Sequence, residues 1–154
     1  MGIALREFRR QDFNSLWRID QECFAPGIAY SRLELAAYIR LRGAFTVVAE
    51  PAGVGGEPSI LGFIVGQANR RGVGHILPID VPPASRRLGV GSKLLATAEE
   101  RLRAASCHSV VLETAVDNVA ALSFYKRHGY NVVRTWPRYY SNGVDALVMK
   151  KELG

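Results

Sequence analysis

A chain of 154 residues with the composition of an ordinary globular protein is long enough for one domain, residues 1–154, with a buried core. Its net charge of +6 comes mostly from scattered arginines, paired at Arg9-Arg10, Arg70-Arg71 and Arg86-Arg87; without a basic arm or finger motif, only charge speaks for nucleic acid, and an anionic cofactor or acidic substrate draws on the same charge. No apolar run reaches spanning length, the start MGIALREFRRQDF has no signal-peptide core, and Cys23 and Cys107 suit neither a disulfide framework nor a metal site, so no membrane span, no metal and a reducing cytoplasm are expected.

Ile3 to Phe8 alternates apolar and polar residues and reads as the first strand. Asp12 is placed to cap a helix carrying Phe13, Leu16, Trp17 and Ile19 at helical spacing, which Cys23-Phe24-Ala25-Pro26-Gly27 breaks. Ser31 with Glu34 forms a capping box that opens a second helix through Leu33, Leu35, Ala37 and Tyr38. Phe45 to Glu50 and Ile60 to Ala68 read as strands, joined by a hairpin connection over 51–58. Asn69 to Gly72 turns the chain into an apolar strand holding Ile76, Leu77, Ile79 and Val81, ended by Pro82 and Pro83. A long helix over 90–105 follows, then a strand from Ser109 to Thr114. Asp117-Asn118 caps a short helix, Val119 to His128, and Gly129 is its C′ residue. Tyr130 to Thr135 and Asp145 to Lys150 are the last strands, around a loop from Pro137 to Gly143. The order β-α-α-β-β-β-α-β-α-β-β is a mixed α/β sheet with about four helices.

The segment Arg86-Arg87-Leu88-Gly89-Val90-Gly91-Ser92 joins a strand to the long helix. Two glycines permit a tight turn that brings unpaired N–H groups to a helix start, a place suited to phosphate, and two guanidinium forks stand beside it. Position 94 is Leu, so the dinucleotide fingerprint fails, and no Gly-Lys-Ser/Thr follows. The turn has the form Arg/Gln-x-x-Gly-x-Gly/Ala and resembles the pyrophosphate-binding turn of the GNAT superfamily of N-acetyltransferases. The element order is similar to that family along the whole chain. Leu112-Glu113-Thr114 with Asn118 to Tyr125 resembles the family's Glu/His strand end followed by Asn-x-x-Ala-x-x-x-Tyr. Tyr125 to Tyr130 looks like its Tyr-x-x-x-Gly-Phe/Tyr. Arg138 to Ala146 resembles the Tyr-Tyr loop of the RimI/Ard1-type branch, which acetylates protein N-termini.

The resemblance implies a GNAT fold with a central, mostly antiparallel mixed sheet, and acetyl-coenzyme A as co-substrate. Acetyl transfer from a thioester to an amine needs a neutral amine, a stabilised carbonyl oxygen and a proton for the departing thiolate. Glu113 ends an apolar strand; partial burial would raise its pKa and suit it to act as base. It falls where the branch has a catalytic Glu or His. Tyr125 matches the family tyrosine near the coenzyme A sulfur and is the candidate acid, against core packing beside Phe124 and Leu122. His75 is a weaker catalytic candidate, near a position where some relatives have a Tyr that shares the base role. Ile79 and Val81 should offer backbone groups to the pantetheine arm like an added strand. Pro78 cannot donate and suits an edge or bulge. Asn118 both caps its helix and matches the family's pantetheine ligand. Arg86 to Ser92 cradle the pyrophosphate. Asp80 is expected on the face opposite Ile79 and Val81, without a catalytic role. For the acceptor, Phe24, Pro26, Tyr30, Tyr139 and Tyr140 match segments that line the branch's peptide groove.

The sequence thus points to an acetyl-coenzyme-A-dependent N-acetyltransferase acting on a protein N-terminal α-amine, a ribosomal protein being one candidate. The alternatives are a small-molecule or lysine acceptor, a non-catalytic acyl-coenzyme A sensor, and, weakest, a basic nucleic-acid-binding module. The oligomeric state is not legible.

Overall fold

The computed structural model describes residues 2–53 and 59–154. The chain runs through β1 (Ile3–Glu7), a 3-10 turn (Arg10–Asp12), α1 (Phe13–Cys23), α2 (Arg32–Arg40), β2 (Ala44–Pro51), β3 (Gly62–Ala68) and β4 (Val73–Asp80). A second 3-10 turn (Pro83–Ser85) leads to α3 (Val90–Ala104), β5 (Ser109–Ala115), α4 (Val119–Arg127), β6 (Asn131–Trp136) and β7 (Ala146–Glu152). This is the element order expected from the sequence. The connection expected over 51–58 falls largely on 54–58, outside the described residues.

The strands form one sheet in the order β1-β2-β3-β4-β5-β7-β6. Every neighbouring pair is antiparallel except β4 with β5. Strand alternation sends Val47, Ala49, Ile64 and Ile76 to one face, where Leu94, Leu95, Ala98 and Leu102 of α3 and Tyr125 of α4 cover them. Val48, Phe63 and Val65 point to the other face, against Leu16 and Ile19 of α1 and Leu35 of α2. The central strand β3 is buried on both faces, which is why it reads as a continuous apolar run.

Local chemistry sets the element ends. The Ser31–Glu34 capping box forms, with Ser31 Oγ accepting the Glu34 N–H at 3.1 Å and Glu34 Oε1 accepting the Ser31 N–H at 2.9 Å. Asn118 Oδ1 accepts the Ala121 N–H at 3.1 Å and caps α4. Gly129, at φ +92°, closes α4 while Tyr130 N–H returns to the Tyr125 carbonyl. Asp12 departs from expectation. It caps the 3-10 turn rather than α1, taking the Arg9 N–H at 2.7 Å, and its carboxylate is held in a fork by Arg6 at 2.8 and 3.0 Å. The extra turn consumes the position from which a cap of α1 would act.

Two irregularities in β4 shape the site. Its parallel pairing with β5 covers only Val73 to His75 against Ser109 to Val111. Beyond that the two strands part, and the edge of β4 from Ile76 onward is left unpaired on the β5 side. On its other side, Ile64 aligns with Ile79 but Gly66 with Ile76, so Leu77 and Pro78 together oppose Val65. That bulge accommodates a proline with no N–H to give the ladder.

Candidate active site

The parting of β4 and β5 opens a cleft of about 970 Å³ through the sheet. On one side it is walled by the turn Arg86 to Ser92 and by α4; on the other by the α1–α2 loop and the β6–β7 loop. Of the residues singled out from the sequence, Phe24, Tyr30, Ile79, Val81, Arg86, Arg87, Gly89, Val90, Gly91, Ser92, Glu113, Asn118, Tyr125 and Tyr140 all line it.

Four residues do not. Leu88 points to solvent from the outside of the turn, and Pro26 lies exposed on the α1–α2 loop. Tyr139 is half exposed and stacks edge-on against Tyr140, with ring centroids 5.0 Å apart, at the rim. His75 stands behind the wall and reaches the cleft through Glu113. His75 Nε2 lies 2.8 Å from Glu113 Oε1. The two sit on the same face because His75 is in register with Val111, two residues before Glu113. Glu113 lines the cleft where the strands part, with His75 behind it.

The side walled by the α1–α2 and β6–β7 loops is closed by a tie across the chain. Ser141 donates to the Gly27 carbonyl from its backbone N–H at 3.2 Å and from its hydroxyl at 2.8 Å. Gly27 has φ +89°, and a Cβ there would meet Asn142 at 2.8 Å, so only glycine permits this approach. Tyr30 is pinned to β4, its hydroxyl donating to the Leu77 carbonyl at 3.3 Å.

On the opposite side, α3 begins at Gly89 with φ +82° and no side-chain cap. Its first N–H groups are therefore free to bind an anion, and a Cβ at Gly89 would meet nothing within 4 Å, so the space in front of them is open. Arg87 also takes a left-handed conformation, at φ 67°, which completes the turn. Arg86 Nε donates to the Val81 carbonyl at 2.9 Å, and Cys23 Sγ donates to the same oxygen at 3.4 Å. Val81 therefore has no free carbonyl for an added strand.

Tyr125 is buried in the wall, and burial, then the nearby Asp80, pushes its phenol well above the ordinary tyrosine value. Its hydroxyl makes no hydrogen bond among the described residues, so it keeps its proton and is free to donate it. Sequence reasoning missed several lining residues, chiefly Arg127 and Asn142. Arg127 adds a third cation to the cleft beside Arg86 and Arg87. Its place in the last turn of a helix gave it the look of a solvated end charge, and nothing in its spacing signals the cleft.

An uncapped helix start with arginines, a protonated phenol and a carboxylate–imidazole pair along one cleft are the parts of an acyl-transfer site. The chain belongs to the acetyltransferase (GNAT) family, whose sequence model matches residues 12–130. It is 34% identical to an uncharacterized N-acetyltransferase of Methanocaldococcus jannaschii, over 97% of this chain and 92% of that one. It is 35% identical to N-alpha-acetyltransferase 20 of Dictyostelium discoideum over 65% of this chain, spanning 59% of that relative. The crystal structure of Ard1 from Thermoplasma volcanium matches with a TM-score of 0.87 and 31% identity, over 99% of this chain and 98% of that one. This protein is accordingly an acetyltransferase with acetyl-coenzyme A as co-substrate. The open, uncapped start of α3 and the arginines beside it suit the charge of a pyrophosphate.

Proposed function

We propose that this chain acetylates the free α-amine of a protein N-terminus by direct transfer. The observation that carries this reading is the tie between Gly27 and Ser141, which joins the two loops that wall the proposed acceptor side of the cleft. A mouth narrowed by two joined loops and lined by Phe24, Tyr30 and Tyr140 suits an amine borne on a peptide backbone, whose N–H and carbonyl groups bond tyrosine hydroxyls. The relatives named N-alpha-acetyltransferase and Ard1 support it. Ribosomal proteins, the RimI-type acceptors, fall within the class.

Acetyl-coenzyme A, held by the start of α3 with Arg86 and Arg87, supplies an activated acetyl group as a thioester. The unpaired edge of β4 and the Asn118 carboxamide receive its pantetheine arm. Glu113, backed by His75, takes the proton that the amine sheds as its nitrogen bonds the acetyl carbon. Tyr125 gives its proton to the sulfur as the carbon–sulfur bond breaks, and solvent restores both groups. An α-amine has a reference pKa of about 8 against about 10.4 for lysine, so Glu113 needs less base strength for it. Cys23 also lines the cleft, but burial, with Asp80 next, pushes its thiol up to about 12. It stays protonated at neutral pH, which favours direct transfer over an acetyl-cysteine route.

One sheet carrying both cores supports reading residues 1–154 as one domain, and two free cysteines support a reducing cytoplasm. The test is one peptide in free and N-blocked forms, each with an internal lysine. The free form is expected to be acetylated and the blocked form to be a poor substrate. Equal rates on both overturn the reading, and turnover of a polyamine or aminoglycoside alone replaces it with a small-amine acceptor.

A further inference from the structure

Asp20 on α1 and Asp80 at the end of β4 are fully buried, and the chemistry above uses neither. Their carboxyl groups face each other within hydrogen-bond reach. Asp20 Oδ2 accepts the Tyr30 N–H at 2.7 Å. Among the described residues, Asp20 Oδ1 and both Asp80 oxygens find no N–H or hydroxyl donor. Two carboxylate ions have no hydrogen to share, so one proton must lie between them, and Asp80, with no other donor, is its natural seat.

The groups around the pair relieve it only in part: the Tyr30 N–H lowers Asp20 and the Arg86 charge lowers Asp80, but burial outweighs both. These groups are Cys23 from α1, Tyr30 from the α1–α2 loop, Glu34 from α2, Arg86 from the turn after β4 and Tyr125 from α4. Arg86 is the sole cation among them, and its Nε is bonded to the Val81 carbonyl. Burial raises both carboxyl pKa values from the usual range, that of Asp80 the more strongly; the hydrogen bond and charge of Asp20 raise Asp80 further, while the bond from Asp80 holds Asp20 down.

The pair sits where the acceptor wall is anchored. Tyr30 has its N–H on Asp20, its carbonyl on Trp17 Nε1 at 3.1 Å and Gln21 Nε2 at 2.7 Å, and its hydroxyl on Leu77. We propose that Asp20 and Asp80 are positioning residues for the acceptor, sharing one proton that ties α1 to the end of β4 and holds Tyr30 in the cleft wall. Loss of that proton leaves two buried anions in contact, and parting α1 from β4 relieves them at the expense of the Tyr30 anchor. The inference rests on the peptide-acceptor reading above.

Asp80→Asn separates this role from mere packing, because its amide N–H donates to Asp20 and cannot be lost to base. The Asn variant should keep the wild-type KM for peptide near neutrality. As pH rises, the ratio of wild-type to variant KM for peptide should rise several-fold, with KM for acetyl-coenzyme A tracking equally in both. Asp80→Ala should raise the peptide KM about tenfold at neutral pH with little change in that for acetyl-coenzyme A, a size typical of a misplaced wall. A constant wild-type to Asn ratio across pH, or equal effects on both substrates, overturns the proposal.

A second measurement needs no substrate. The unfolded chain releases the Asp80 proton near pH 4 while the fold retains it, so wild-type stability falls as pH rises above that value. The melting temperature of Asp80→Asn minus that of wild type should therefore grow from about pH 4 upward. A flat difference means no shared proton and ends the proposal. If no peptide is turned over by wild type, the acceptor reading fails, while this melting comparison still decides whether the proton is shared.

Discussion

Glu113, the proposed base, and His75 lie 2.8 Å apart, so the two should act as a unit rather than independently. Glu113→Gln keeps the shape but loses the base, and kcat should fall by about a hundredfold to ten-thousandfold. Affinity for acetyl-coenzyme A should stay unchanged, which equilibrium binding can check. The double variant Glu113→Gln/His75→Gln should cost little more than Glu113→Gln alone, since the second change acts through a partner already removed. Additive losses in that cycle would assign His75 a separate role. Tyr125→Phe removes a donor that has no acceptor among the described residues. It should slow the chemical step by about ten- to a hundredfold, matching the loss of one hydrogen bond to a developing anion.

At the scale of elements, the two sides of the cleft are built by different devices and should fail separately. On the proposed coenzyme side, the uncapped start of α3 offers backbone N–H groups, with arginines beside it. Arg87→Ala should raise KM for acetyl-coenzyme A about tenfold, the worth of one charge-assisted bond, and the effect should shrink in high salt. Gly89 is a poorer test. A β-branched side chain there has room, but φ +82° strains it, so loss of binding would mix blocked approach with a distorted turn. On the acceptor side, Gly27→Val forces apart two loops that now touch. It should raise KM for peptide about tenfold or more while leaving that for acetyl-coenzyme A within error, because displacing a wall by about 1 Å is costly in positioning.

Across the whole molecule, buried acids with opposite shifts give stability both an acid and an alkaline limit. The Arg6 fork holds the Asp12 carboxyl below the usual carboxylate range, joining β1 to the start of α1. A depressed carboxyl contributes stability that is present above about pH 4 and lost as pH falls through its folded value. Asp12→Asn should therefore lower the melting temperature by on the order of 5 °C at neutral pH, with the gap closing as acid is added. A gap that persists unchanged into strong acid would show that packing, not charge, is lost.

Most of the element order was legible in the chain, because capping pairs such as Ser31–Glu34, glycine ends such as Gly129 and strand alternation act over a few residues. The glycine turn proposed to hold the cofactor was legible for the same reason: Arg86 to Ser92 is one contiguous device, set between a strand and a helix by local backbone rules. Pro78 even marked the bulge, since a residue without an N–H has few places in a sheet. The sequence by itself therefore determined the strands, the helices and the contiguous turn proposed to hold the coenzyme, and it singled out Glu113 and Tyr125, which line the cleft. It could not determine which groups meet. The His75–Glu113 contact, the Gly27–Ser141 tie, the cation at Arg127 and the Asp20–Asp80 pair join residues tens of positions apart. Each depends on strand register, on where β4 and β5 part, and on how α1 lies across the sheet. Those are set by the packing of the two cores as a whole, and no local pattern of residues carries them.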